Sequence, residues 1–250
     1  MEKLIKISWV RLTVESVAIV ASILLAFGID AWWSDRQQRV EEHLILAELL
    51  EEFQENKISL DERINFNYAI LETTKLLLTL SGNSDRKLTL EEMDRHLFGI
   101  NWFDPGGRFG TPVLQSLVSS GDLSIISNPS LRTSLAKWAL KFDLIKGFLE
   151  SDREYFTRVL EPFLINNTNM TQFYSSAQGV PGQPESSRQF IDVPNSIDIT
   201  DHRPLLDDQV FENILLTRAE SINDILTVGF HDVDLQLDAT IRMIETELAK

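Results

Sequence analysis

One stretch constrains the fold before any other: residues 9–33, WVRLTVESVAIVASILLAFGIDAWW. From Ser16 to Ile29 it carries 14 consecutive residues that are uncharged. As a helix that run is ~21 Å long, short of the ~30 Å hydrocarbon core of a bilayer. Two tryptophans extend its reach. Trp9 and Trp32 stand 23 residues apart, roughly 35 Å along a helix and about the separation of the interfacial belts that indoles prefer. The stretch reads as one membrane-spanning helix of about residues 10–33, inside an anchor of residues 1–34. Ala26-Phe27-Gly28 resembles the small-x-small pattern of a signal cleavage site. Glu15 interrupts the approach to it, however, and the apolar pattern runs on into Ile29 and Trp32-Trp33. The expectation is an uncleaved anchor.

The flanking charges orient it. Lys3, Lys6 and Arg11 precede or open the span, against Arg36 and Arg39 just after it. Positive-inside counting then expects a cytoplasmic N-terminus in a bacterial inner membrane, with the C-terminal domain periplasmic. Arg11, Glu15, Ala18, Ser22, Ala26 and Asp30 share a helical strip about 100–120° wide. Two readings of that strip stay open. Arg11 and Glu15 can pair and snorkel beside a chance run of small residues. Alternatively Glu15, Ala18, Ser22 and Ala26 form a face that admits a second helix.

Composition narrows the partners. The apolar share of 43% argues against global disorder. The absence of Cys removes disulfides, thiol nucleophiles and Cys-based metal sites. Net charge is −15, and residues 1–34 hold three basic and three acidic side chains, so the excess acid lies in the C-terminal domain. Such a domain repels nucleic acid, and the expected partners are the lipid bilayer, a second copy of the chain or another membrane protein.

Residues 35–250 read as a helical domain. No Gly or Pro follows Trp33 until Gly82, so the anchor can continue as one helix. Its 46 residues from Ser34 to Thr79 would add roughly 69 Å. Leu46, Leu49, Phe53, Leu60, Ile64, Leu71 and Leu78 track one face, broken by Asn56 and Asn67. Gly82 suits a left-handed cap, Thr89 and Glu92 have capping-box spacing, and Gly99 reads as the end of the short helix they open. Asp104-Pro105-Gly106-Gly107 is a turn; the Gly106–Gly110 string lacks the preceding strand and the Lys-Ser/Thr of a phosphate loop. Thr111-Pro112 and Asn128-Pro129 start helices, and Gly121 ends the first of them.

A long helix with Leu131, Leu135, Trp138, Phe142, Ile145, Leu149, Phe156 and Val159 on one stripe should end or kink at Pro162. A polar loop at about 166–204 follows, and then a last helix from Asp207 to about Ala249. Its stripe is Ile222, Leu226, Phe230, Val233, Leu237, Ile241, Ile244 and Leu248. The fold class is therefore all-α: a transmembrane helix, then an elongated bundle of three long helices and shorter ones. Asp152 breaks one stripe and Arg218 lies near the other. If the two helices are antiparallel neighbours, these residues reach similar heights and form a candidate buried ion pair.

The segments SILLAFGIDAWW (Ser22–Trp33), SLVSSGDLSIISNPSLRTSL (Ser116–Leu135) and LLDDQVFENILL (Leu205–Leu216) carry a resemblance. They resemble an uncharacterised bacterial family of single-pass membrane proteins with a helical domain. The similarity covers most of the chain outside the polar loop. It implies a fold and a membrane location, and brings no activity, cofactor or catalytic residue.

Chemistry is hard to find. His43, His96, His202 and His231 are scattered without paired-ligand spacing, and His231, Asp232 and Asp234 cannot converge on one helical face. Glu51-Glu52 and Glu91-Glu92 read as solvated helix faces or caps. No Ser lies in a nucleophile elbow. The expectation is a non-enzymatic interaction or scaffold module without catalytic, cofactor or metal residues. The alternative is an extracytoplasmic sensor or ligand-binding module acting through a partner.

Overall fold

The computed structural model describes residues 9–104, 110–175 and 198–250, with the side chains of 9–12, 14, 139, 140, 142 and 143 outside that description. Helix accounts for 86% of the described residues, which contain no strand. The Gly-free run after Trp33 has the expected consequence: α1 extends unbroken from Trp9 to Leu80, 72 residues, or ~108 Å. Its apolar N-terminal part stands clear of the core, with Val17 to Trp33 exposed. The C-terminal part is a core helix, with Leu46, Leu49, Phe53, Leu60 and Leu71 no more than 1% exposed. Gly82, at φ 66°, turns the chain away.

Short helices α2 (Leu90–Ile100) and α3 (Pro112–Ser120) cross the outer end and flank of α1, and a 3-10 turn over Asp122–Ile125 leads to α4 (Pro129–Tyr155). Thr89 and Glu92 close the capping box on α2. Gly99 does not end α2, which runs on to Ile100. A Cβ at Gly99 would lie 3.0 Å from Thr73 Cγ2, so glycine here permits α2 to press onto α1. Asn128 caps α4 by accepting from the Ser130 and Leu131 N–H groups.

Pro162 neither ends nor kinks the chain as expected. A π turn over Phe156–Leu160 widens the helix just before it, the Glu161 N–H bonds the Phe156 carbonyl five residues back, and α5 (Glu161–Asn167) continues. The ring thus finds room where a regular turn would clash. The same turn corrects the apolar stripe, since Val159 is 37% exposed and Leu160 fully buried. Phe142 has its side chain outside the described residues. Part of the polar loop also proves structured: α6 (Met170–Ser175) and a 3-10 turn over Arg203–Asp207 flank residues 176–197, which lie outside the description.

The last rod is α7 (Gln209–Asp224), a second π turn over Ile225–Phe230, and α8 (His231–Leu248). It runs antiparallel to α1 and α4 and packs on both. Two apolar clusters fill the bundle. One joins the middle of α1 to α3, α4 and α8. The other joins the end of α1 to α2, α5, α6 and the start of α7.

Candidate functional site

Between the two clusters lies a layer of buried charge. Asp152 separates Leu149 from Phe156 on the α4 rod, and Arg218 separates Leu215 from Ala219 on α7. Each side chain is 1% exposed, and the Arg218 guanidinium donates to the Asp152 carboxylate. Arg218 Nη2 also donates to the Trp102 carbonyl at 2.5 Å, and Ser221 Oγ donates to Asp152 at 3.3 Å. Burial pushes the Asp152 carboxyl up and the Arg218 guanidinium down, while their mutual attraction opposes both shifts. Arg218 Nε finds no partner. A second pair adjoins: Arg63 Nη1 and Asn67 Nδ2 hold the two oxygens of Asp104 at 2.8 and 2.9 Å.

The polar interruptions on α1 all face the segment that connects α2 to α4. Asn56 both donates to and accepts from the Gly110 backbone, at 2.9 and 3.3 Å. Glu52 is only 7% exposed, contrary to the solvated reading of Glu51-Glu52. Its carboxylate accepts from the Val113 and Leu114 N–H groups at 2.6 and 3.3 Å, capping α3, for which Thr111 supplies no side-chain bond. An acceptor from another helix satisfies donors that α3 itself leaves open.

The one histidine with an acid–base arrangement is His202. Its Nδ1 lies 2.7 Å from Asp94 Oδ1, and its Nε2 accepts the Asn169 N–H at 2.8 Å. Gln172 bridges Asp94 Oδ2 and the Thr200 carbonyl at 2.7 and 2.9 Å. Both ring nitrogens are engaged within the protein, and the ring is 1% exposed. The cluster ties both ends of segment 176–197 to α2. Spacing offers no sign of this pair, because 108 residues separate its members. His231 is exposed, and among the described residues no three His, Cys, Asp or Glu side chains come together as a metal site.

The anchor face is laid out as a continuous surface. Glu15, Ala18, Ser22 and Ala26 are all exposed, and Ser22 Oγ bonds the Ala18 carbonyl at 2.8 Å, which satisfies the hydroxyl within its own helix. The Arg11 and Trp9 side chains and residues 1–8, with Lys3 and Lys6, lie outside the described residues, as does the turn at 105–109. α1 has the length and composition to cross a membrane.

Two grooves flank α1. One, of about 620 Å³, opens where α1 enters the bundle and is lined by Asp35, Arg39, Glu42, Ser127, Glu247 and Lys250 among others. The other, of about 780 Å³, is lined on α1 by Glu48, Glu51, Glu52, Glu55 and Glu62 and closed by Gly110 and Pro112. Its charge suits a cationic surface and repels phosphate. Compared with family models, curated proteins and solved structures, the chain matches none.

Proposed function

We propose that this chain is a membrane-anchored, non-enzymatic interaction or scaffold module, which holds a helical bundle at fixed offset and orientation from a bilayer. The observation that carries the reading is the continuity of α1, which passes from an exposed apolar segment into the bundle core without a break. A helix with no hinge fixes both the height and the rotation of what it carries. The buried charge layer supports the same reading. Its worth lies in register more than in stability, as a rigid platform requires.

In this reading α1 crosses a bacterial inner membrane once, with the bundle in the periplasm, in keeping with the flanking charges and with the family resemblance of Ser22–Trp33. Partners are then membrane proteins or a second copy of the chain, reached through the surfaces beside α1. The test is site-specific photo-crosslinking of the intact protein in native membranes, from Gln38 and Glu55 in the two grooves. Discrete protein adducts support the module, and an adduct-free chain at both positions removes it. Protease digestion of the bundle in spheroplasts checks the orientation, and protection reverses it.

A further inference from the structure

Between the apolar segment and the bundle, α1 runs alone. Every residue from Ala31 to Glu41 is exposed, yet the segment is not uniformly polar. Trp33, Val40 and Leu44 are 62%, 56% and 64% exposed. With Gln37 and Ala47 they recur at alternating steps of four and three, the spacing of a coiled-coil seam. On the helical wheel this seam lies roughly 160° from the face that carries Leu46, Leu49 and Phe53 into the core. The bundle therefore leaves it uncovered.

We propose that this seam is the interface with a second copy of the chain, as a short parallel coiled coil over Trp33–Ala47 just outside the membrane. The inference rests on α1 being a membrane anchor, because co-insertion is what makes the two helices parallel. Charge selects the occupant. In a parallel pair, the residues just before Gln37 and Leu44 face the residues five further on in the other strand. Arg36 then meets Glu41 of the second copy, and His43 meets Glu48 of the second copy. Among the described residues, Arg36 and Glu41 have no ion-pair or hydrogen-bond partner in their own chain, while adjacent Arg39 is tied to Asp35 at 3.1 Å. An antiparallel partner would not bring these residues together.

The sequence also sets where pairing stops. The next seam position is Glu51, flanked by Glu48 and Glu55, so two copies present like charges to each other and must separate there. The bundles lie on the far faces of the two helices. An isolated pair of 15-residue helices would be marginal in water. Here each strand is the middle of a helix already formed, and a shared membrane raises the effective concentration.

The chain has no Cys, which makes disulfide mapping direct. Val40→Cys, Leu44→Cys and, as the bundle-side control, Gln38→Cys are oxidised in the intact protein in native membranes. Seam positions fall within disulfide reach across a two-stranded coil. Dimer is expected severalfold above the control at Val40 and Leu44. In the Val40→Cys background, Arg36→Glu and Glu41→Arg should each lower the dimer, and the two together should restore it. Equal crosslinking at Gln38 and Val40, or a double variant no better than either single, overturns the pairing while leaving the anchor intact. Recovery of the protein in the soluble fraction overturns the anchor and the pairing with it.

Discussion

Removing one member of the Asp152–Arg218 pair should destabilise the bundle far more than removing both. The two side chains are each 1% exposed, so neither can turn to water when its partner is lost. Asp152→Asn keeps the shape and leaves the guanidinium facing a neutral amide, at a cost of about 3–5 kcal/mol for an uncompensated buried charge. Arg218→Met leaves the carboxylate with Ser221 as its remaining side-chain partner, and the expected loss is again about 3–5 kcal/mol. In the double variant no charge is stranded. What remains is the orphaned Trp102 carbonyl, worth about 1–3 kcal/mol. The double variant should therefore cost no more than either single one, giving a coupling of at least about 3 kcal/mol. The assay is urea unfolding of the full chain in detergent, read by fluorescence of Trp102 beside the pair and Trp138 in the core. Additivity within ~0.5 kcal/mol would refute the reasoning.

Three further outcomes follow from the packing. Gly99→Ala should cost about 1–3 kcal/mol by overpacking despite the gain in helix propensity, and adding Thr73→Ser, which removes the Cγ2 at 3.0 Å, should recover most of it in a thermal melt. Burial holds the Glu52 carboxyl above its ordinary 4.5, against the pull of the two N–H groups it caps. That shift adds stability that is present below the unfolded value and lost as pH rises through the folded one. The advantage of the native chain over Glu52→Gln should therefore shrink as urea titrations move upward from about pH 4. His202→Phe, which leaves buried Asp94 without its ring partner, should cost at least about 1–3 kcal/mol, measurable by the same unfolding assay.

The long elements were legible because their signals are local. A Gly-free run, a left-handed Gly82, a Thr89–Glu92 box and an Asn128 cap each act within a few residues, and each appears where the sequence puts it. The two π turns were written more faintly. Asp152, Phe156, Leu160 and Leu164 step by four, as do Arg218, Ile222, Leu226 and Phe230, and all eight are buried. Each four-residue step over-rotates a regular helix by about 40°, so a sustained run of them needs a wider turn to stay on one face. What could not be read was tertiary. Nothing within α1 says that Glu52 caps α3, or that Asp104 waits 41 residues beyond Arg63. Nor does the sequence around Gly99 announce Thr73 as the neighbour that requires it.

A scaffold held at fixed offset requires α1 to be one rigid helix from the apolar segment into the bundle. Its direct test is a pulsed electron–electron distance between spin labels at Ala31→Cys and Glu72→Cys in the membrane-reconstituted protein. Both positions are exposed, and there is no native Cys to compete. A continuous helix predicts one narrow distribution near ~62 Å. A broad distribution, or one centred well below that distance, would place a hinge between anchor and bundle and contradict the account.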